Sequence, residues 1–145
     1  LRFGNLMQGH DRWDTTLFQS YAFLQRHRQG YALGPHTDVP TRIATAIFGF
    51  AQDDHFHKLG TDILVPNDPM KRCGGRHHHS FDEFTTVKVA PYAPNSMFIF
   101  FKTNAAFHAV RPMHHLDVNN RFGMQIQLYE CGSAEKSEDG QTIFK

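Results

Sequence analysis

Long apolar runs, cysteine and an excess of charge of either sign are all scarce in this chain of 145 residues. No stretch approaches the ~20 consecutive apolar residues that cross a bilayer as a helix, which excludes a transmembrane helix. Fifteen Lys and Arg stand against fourteen Asp and Glu, a net charge of +1 with histidine neutral. Nothing in that balance gives an electrostatic footprint for nucleic acid or an anionic membrane surface, and neither partner is expected. The two cysteines, Cys73 and Cys131, match no CxxC spacing. Both are expected to be free thiols in a reducing, cytoplasmic compartment. With 40% hydrophobic and 20% charged residues, the chain is neither a disordered tail nor a coiled coil. It shows no internal repeat, no domain boundary and no charged-then-apolar leader. Its length suits a single core over residues 1–145. It opens on Leu1 rather than Met, so a piece of a longer protein is expected.

Phenylalanine and histidine are abundant instead, at 14 and 11 residues. The first suggests an aromatic β core and the second raises the question of a metal. Period-2 patterning and turn signals predict strands over Tyr21 to His27, Tyr31 to Pro35, Thr41 to Phe50, Gly60 to Pro66, Thr85 to Ala90, Ser96 to Phe101, Ala105 to Val110 and Arg121 to Tyr129. The Ser96 to Phe101 run is apolar at nearly every position, as a central strand covered on both faces would be. The last strand alternates cleanly, with Phe122, Met124, Ile126 and Leu128 on one face and Arg121, Gly123, Gln125 and Gln127 on the other. Only Asp11 to Ser20 reads as helix, with Asp14 or Thr15 as its cap. Many short strands with almost no helix point to an all-β barrel or jelly roll. Asn67 to Phe84 is long for a connection and is expected to be a binding loop, a lid or disorder. The polar tail from Cys131 to Lys145 is expected to fray.

Chance supplies about one His-x-Asp pair in a chain this rich in both residues; two occur, His36-Thr37-Asp38 and His115-Leu116-Asp117. The first follows a strand, and i, i+2 spacing on extended chain puts both side chains on one face. A later histidine, His108, falls on a strand of its own, whereas no histidine follows His115. Two imidazoles and one carboxylate on one side of a metal leave adjacent coordination positions open, the arrangement of non-haem Fe(II) oxygenases. Further on, Arg121 starts the polar face of the last strand. A guanidinium aimed into a barrel needs an anion, and its fork suits a carboxylate. His77-His78-His79 beside Cys73 reads as an adventitious cluster, and His55-Phe56-His57 with Asp62 only faintly echoes a cupin metal motif. Arg111 is divided between touching substrate and merely snorkelling. His27 and Tyr31, just before the metal pair, are pocket candidates.

His36-x-Asp38, a distal His108 after a Phe-rich strand, and Arg121 on the final strand together resemble the Fe(II)/2-oxoglutarate-dependent dioxygenases. The resemblance runs from Leu24 to Tyr129 through GYALGPHTDVP, LGTDILVPNDP, YAPNSMFIFFKTNAAFHAV and RFGMQIQLYE. It implies a double-stranded β-helix fold lacking part of its usual N-terminal helices. It implies iron held by His36, Asp38 and His108, and 2-oxoglutarate as cosubstrate with its far carboxylate on Arg121. It also implies a small-molecule or peptide substrate, oxidised with release of succinate and CO2. Two positions depart from the pattern. Gly123 stands where many members carry Ser, and Gly49 where many carry a carboxylate-binding Tyr; Tyr31, Thr45 or Gln125 would then assist. The alternatives are a cupin-type dioxygenase that uses no cosubstrate and a non-catalytic jelly-roll binding module.

Overall fold

The computed structural model describes residues 16–75, 77–113, 120–136 and 142–144. Among these residues nine strands run in chain order: β1 Thr16–Arg28, β2 Leu33–His36, β3 Arg42–Gly49, β4 Thr61–Pro66, β5 Phe84–Ala90, β6 Ser96–Phe101, β7 Phe107–Val110, β8 Asn120–Lys136 and β9 Thr142–Phe144. They build two antiparallel sheets. The first has the order β1-β8-β3-β6, with β9 pairing β8; the second has the order β2-β7-β4-β5. The chain therefore alternates between sheets through its middle. This brings strands distant in sequence side by side, β2 next to β7 among them.

Alternation decides which side chains meet between the sheets. On the second sheet His36 pairs directly with His108, and Ile63 pairs with His108 from the other side. Paired residues share a face. His108 turns toward the first sheet, where its ring lies 4.4 Å from that of Phe100 on β6. Phe107 and Ala109 point the opposite way, into an apolar cluster with Leu64, Cys73 and Phe84, onto which Phe81 packs. That cluster is closed by the segment from Asn67 to Phe84. The segment is ordered by backbone bonds from Asn67 to Glu83, Cys73 to Asn104 and His79 to Pro35. It is thus a packed cover over the second sheet, which narrows the loop-lid-or-disorder expectation.

Three expectations about elements need correction. Thr16 to Ser20, read as part of a helix, extends β1, because its pairing with β8 supplies the backbone partners; 11–15 lie outside the described residues. The apolar β6 is an edge strand, and Met97, Ile99 and Phe101 are about half exposed, at 57%, 50% and 58%. The start of the polar tail, 131–136, continues β8 and pairs with β9. The first and third share a cause, since strand pairing stabilises backbone whose side chains give no clear period. The alternation in β8 holds, but with the polar face inward: Arg121 and Gln127 are buried while Phe122 is 46% exposed. Hydrophobic patterning alone would have turned the strand over. No helix among the described residues is long and apolar enough to cross a membrane.

Candidate metal centre

His36 ends β2, Asp38 follows it in the loop to β3, and His108 lies on β7. One ligand atom from each falls within 4.8 Å of the other two. The two imidazole Nε2 atoms lie 4.0 and 3.9 Å from the same oxygen, Oδ1 of Asp38, and the three side chains are only 12%, 4% and 8% exposed. Each ring is oriented by its other nitrogen. Nδ1 of His36 is 2.9 Å from the Gly34 carbonyl and Nδ1 of His108 is 3.1 Å from the Ala106 carbonyl. A carbonyl can only accept, so each Nδ1 carries the proton and each Nε2 presents a lone pair toward Asp38.

Burial, then the neighbouring His108, lowers the His36 pKa to about 4; burial likewise pushes His108 down, against the pull of Asp38. Both rings are accordingly neutral near pH 7, the state in which an imidazole ligates. Asp38 is held from both oxygens. Arg42 Nη1 donates to Oδ1 at 2.6 Å and Thr45 Oγ1 donates to Oδ2 at 2.7 Å. The donor set is two free imidazole nitrogens and one oriented carboxylate converging on one point, and it fits a divalent transition metal with open positions.

The backbone behind Asp38 is equally constrained. Gly75 has φ +93°, and a Cβ there would lie 2.5 Å from the Asp38 carbonyl oxygen. This position combines a left-handed backbone with a close approach, which only glycine tolerates. The adjoining Cys73 carbonyl accepts from Thr37 Oγ1 at 2.8 Å. Lys102, 5% exposed, points its ammonium at Thr37 Oγ1 and at the Cys73, Thr103 and Asn104 oxygens. Its pKa is lowered by burial. Cys73 and Asp38 act in the opposite direction.

A second group of residues lies along the inner face of the first sheet. Arg121, 6% exposed, donates through Nη1 to His27 Nδ1 at 3.0 Å, and its guanidinium carbon sits 5.1 Å over the Tyr92 ring. Its Nε is buried without a hydrogen-bond partner among the described residues. No carboxylate pairs with it among the described residues. His27, whose pKa burial and then Arg121 depress to about 4, is stacked on Tyr31 with ring centres 3.8 Å apart. The Tyr31 phenol is raised by burial, against the nearby Arg121 charge.

The sequence candidates thus divide by location. Thr45 bonds the Asp38 carboxylate, and Tyr31 flanks Arg121. Gln125 accepts from Gln25 and Gln127 in a chain that continues through Tyr129 to Arg42. Gly49 and Gly123, the two departures, pair with each other across β3 and β8. Arg111 bonds Asp62 and Thr86. His78 stacks on His36 at 4.8 Å. His115 and Asp117 lie outside the described residues. Sequence reasoning missed Arg42, Tyr92 and Lys102. Arg42 could have been found from its i+4 position after Asp38, but the other two carry no local signal. No protein-family model matches the chain, and no curated protein matches it.

Proposed function

We propose that the chain is a non-haem Fe(II)/2-oxoglutarate-dependent oxygenase. The observation that carries the reading is the buried His36-Asp38-His108 group, with both Nε2 atoms and one carboxylate oxygen directed at a common point. Two further features support it. The sheet orders β1-β8-β3-β6 and β2-β7-β4-β5 are those expected of a double-stranded β-helix. A buried, carboxylate-free guanidinium on β8 stands on the inner face, as a far-carboxylate anchor must. Fe(II) at the triad would supply the activation of dioxygen, coupled to oxidative decarboxylation of the keto acid to succinate and CO2.

Each residue then has a definable task. His36 and His108 give neutral nitrogen donors, and Asp38 brings one negative charge to the metal. Arg42 and Thr45 fix the carboxylate rotamer, so little ordering remains to be done when metal arrives. Arg121 holds the far carboxylate of the cosubstrate by charge-assisted hydrogen bonds. Phe100 packs against His108 and keeps that side of the centre dry. The test is to follow 2-oxoglutarate consumption with Fe(II) and oxygen and to measure succinate. Stoichiometric succinate that disappears in His108→Ala supports the reading. Iron-dependent oxygen uptake without succinate would favour a dioxygenase that needs no cosubstrate.

A further inference from the structure

We propose that Tyr92 is a second carboxylate-binding residue beside Arg121, admitted to that position by Gly49; this rests on the oxygenase reading above. Gly49 is the last residue of β3. A Cβ built on Gly49 would lie 2.7 Å from Ser96 Oγ, 3.1 Å from the Ala93 carbonyl oxygen and 3.2 Å from Tyr92 Cδ2. The turn between β5 and β6 is therefore pressed onto Gly49. It is held there by the left-handed Asn95 (φ 52°) and by Ser96 Oγ donating to the Ala93 carbonyl at 2.7 Å. Any larger residue at position 49 would displace this turn and the tyrosine it carries. The space that a side chain on β3 would need is filled from a different element.

Tyr92 is 3% exposed. Its oxygen accepts the Phe122 N–H at 3.0 Å, so the hydroxyl is fixed next to the backbone of Arg121. The hydroxyl hydrogen itself has no acceptor among the described residues. A phenol whose oxygen already accepts a backbone N–H is polarised to donate. Beneath the guanidinium, the ring supplies its electron-rich face. Arg121 spends Nη1 on His27 and has a buried Nε without a partner among the described residues. A buried donor left unmade is costly. One carboxylate would meet both the guanidinium and the phenolic hydrogen.

The experiment uses the Fe(II)-loaded protein without oxygen and two ligands, 2-oxoglutarate and 2-oxopentanoate, which has the same chain length without the far carboxylate. Tyr92→Phe keeps the ring and removes the donor. Affinity for 2-oxoglutarate should fall roughly ten- to hundredfold, the range for one hydrogen bond to a charged group, while 2-oxopentanoate binding stays the same. Equal weakening of both ligands would mean that Tyr92 only caps the strand, and no change would mean that its hydroxyl is not used. Either result overturns the proposal and leaves the oxygenase reading standing. A parent protein that does not prefer 2-oxoglutarate overturns both. Should Tyr92→Phe fail to fold, the near-ultraviolet difference spectrum of the parent decides. A red-shifted tyrosine signal is expected with 2-oxoglutarate and not with 2-oxopentanoate; identical spectra overturn the proposal.

Discussion

Arg121→Met should change sign with ligand. Without cosubstrate, the guanidinium is a buried charge whose described partners are one imidazole and one aromatic face. Replacing a buried ionic group by an apolar one of similar length is commonly neutral or stabilising by about 1–4 kcal/mol. Against this stands His27 Nδ1, which loses its donor at a cost of about 1 kcal/mol. The iron-loaded variant without cosubstrate should therefore lie between about 1 kcal/mol less and about 3 kcal/mol more stable than its parent. For a domain of this length, each kcal/mol is worth roughly 2–4 °C in melting temperature. On the oxygenase reading, adding 2-oxoglutarate at a hundred times the parent's Kd should stabilise the parent by about 2.7 kcal/mol, or roughly 5–10 °C. The variant, having lost the anchor, should gain almost nothing. Thermal unfolding of both proteins, with and without cosubstrate under anaerobic conditions, should show this reversal of order. The reasoning is refuted if Arg121→Met is clearly destabilised without ligand and still gains the parent's full shift.

His36→Ala, Asp38→Ala and His108→Ala should each abolish tight metal binding, whereas His115→Ala should not. Metal titration with a competing chelator checks this, and retention of metal by His36→Ala would indict the chosen pair. Gly75→Ala forces an L side chain into φ +93° against the Asp38 carbonyl. It should cost about 1–3 kcal/mol or more in denaturant unfolding and weaken metal binding too; wild-type behaviour would show that this backbone does not position Asp38. The His27 and His36 pKa values lie near 4 when folded against 6.5 for the unconstrained imidazole. Between these values the unfolded chain binds more protons, so stability is full above pH 6.5 and is lost as pH falls toward 4. His27→Phe should flatten that decline in urea midpoints measured across the window, and an unchanged slope would contradict the assignment.

Much of the centre is legible in the sequence because its ligands obey local geometry. His36 and Asp38 share a face of extended chain, and His108 occupies a strand that follows the break at Thr103-Asn104. The supporting residues are less visible for a physical reason. Tyr92 reaches Arg121 across a turn that closes on Gly49, and Lys102 serves four oxygens from separate segments. Neither arrangement leaves a period or spacing to read. The edge position of β6 is hidden for a different reason. Its apolar run is equally compatible with two covered faces, and only pairing partners reveal that Met97, Ile99 and Phe101 face outward. The polar inner face of β8 inverts the usual expectation, and Arg121 was the one residue on it that signalled the inversion.

On the proposed function, His36, Asp38 and His108 hold iron in a form that accepts 2-oxoglutarate. Anaerobic titration with Fe(II) and then 2-oxoglutarate tests it most directly, by watching for the weak visible absorption that a 2-oxo acid chelated to Fe(II) produces. The expected result is one equivalent of iron, absorption only after the keto acid is added, loss of both in His108→Ala, and a much higher cosubstrate requirement in Arg121→Met. Stoichiometric iron binding that survives His108→Ala, or iron-loaded protein that never develops the absorption, would contradict it.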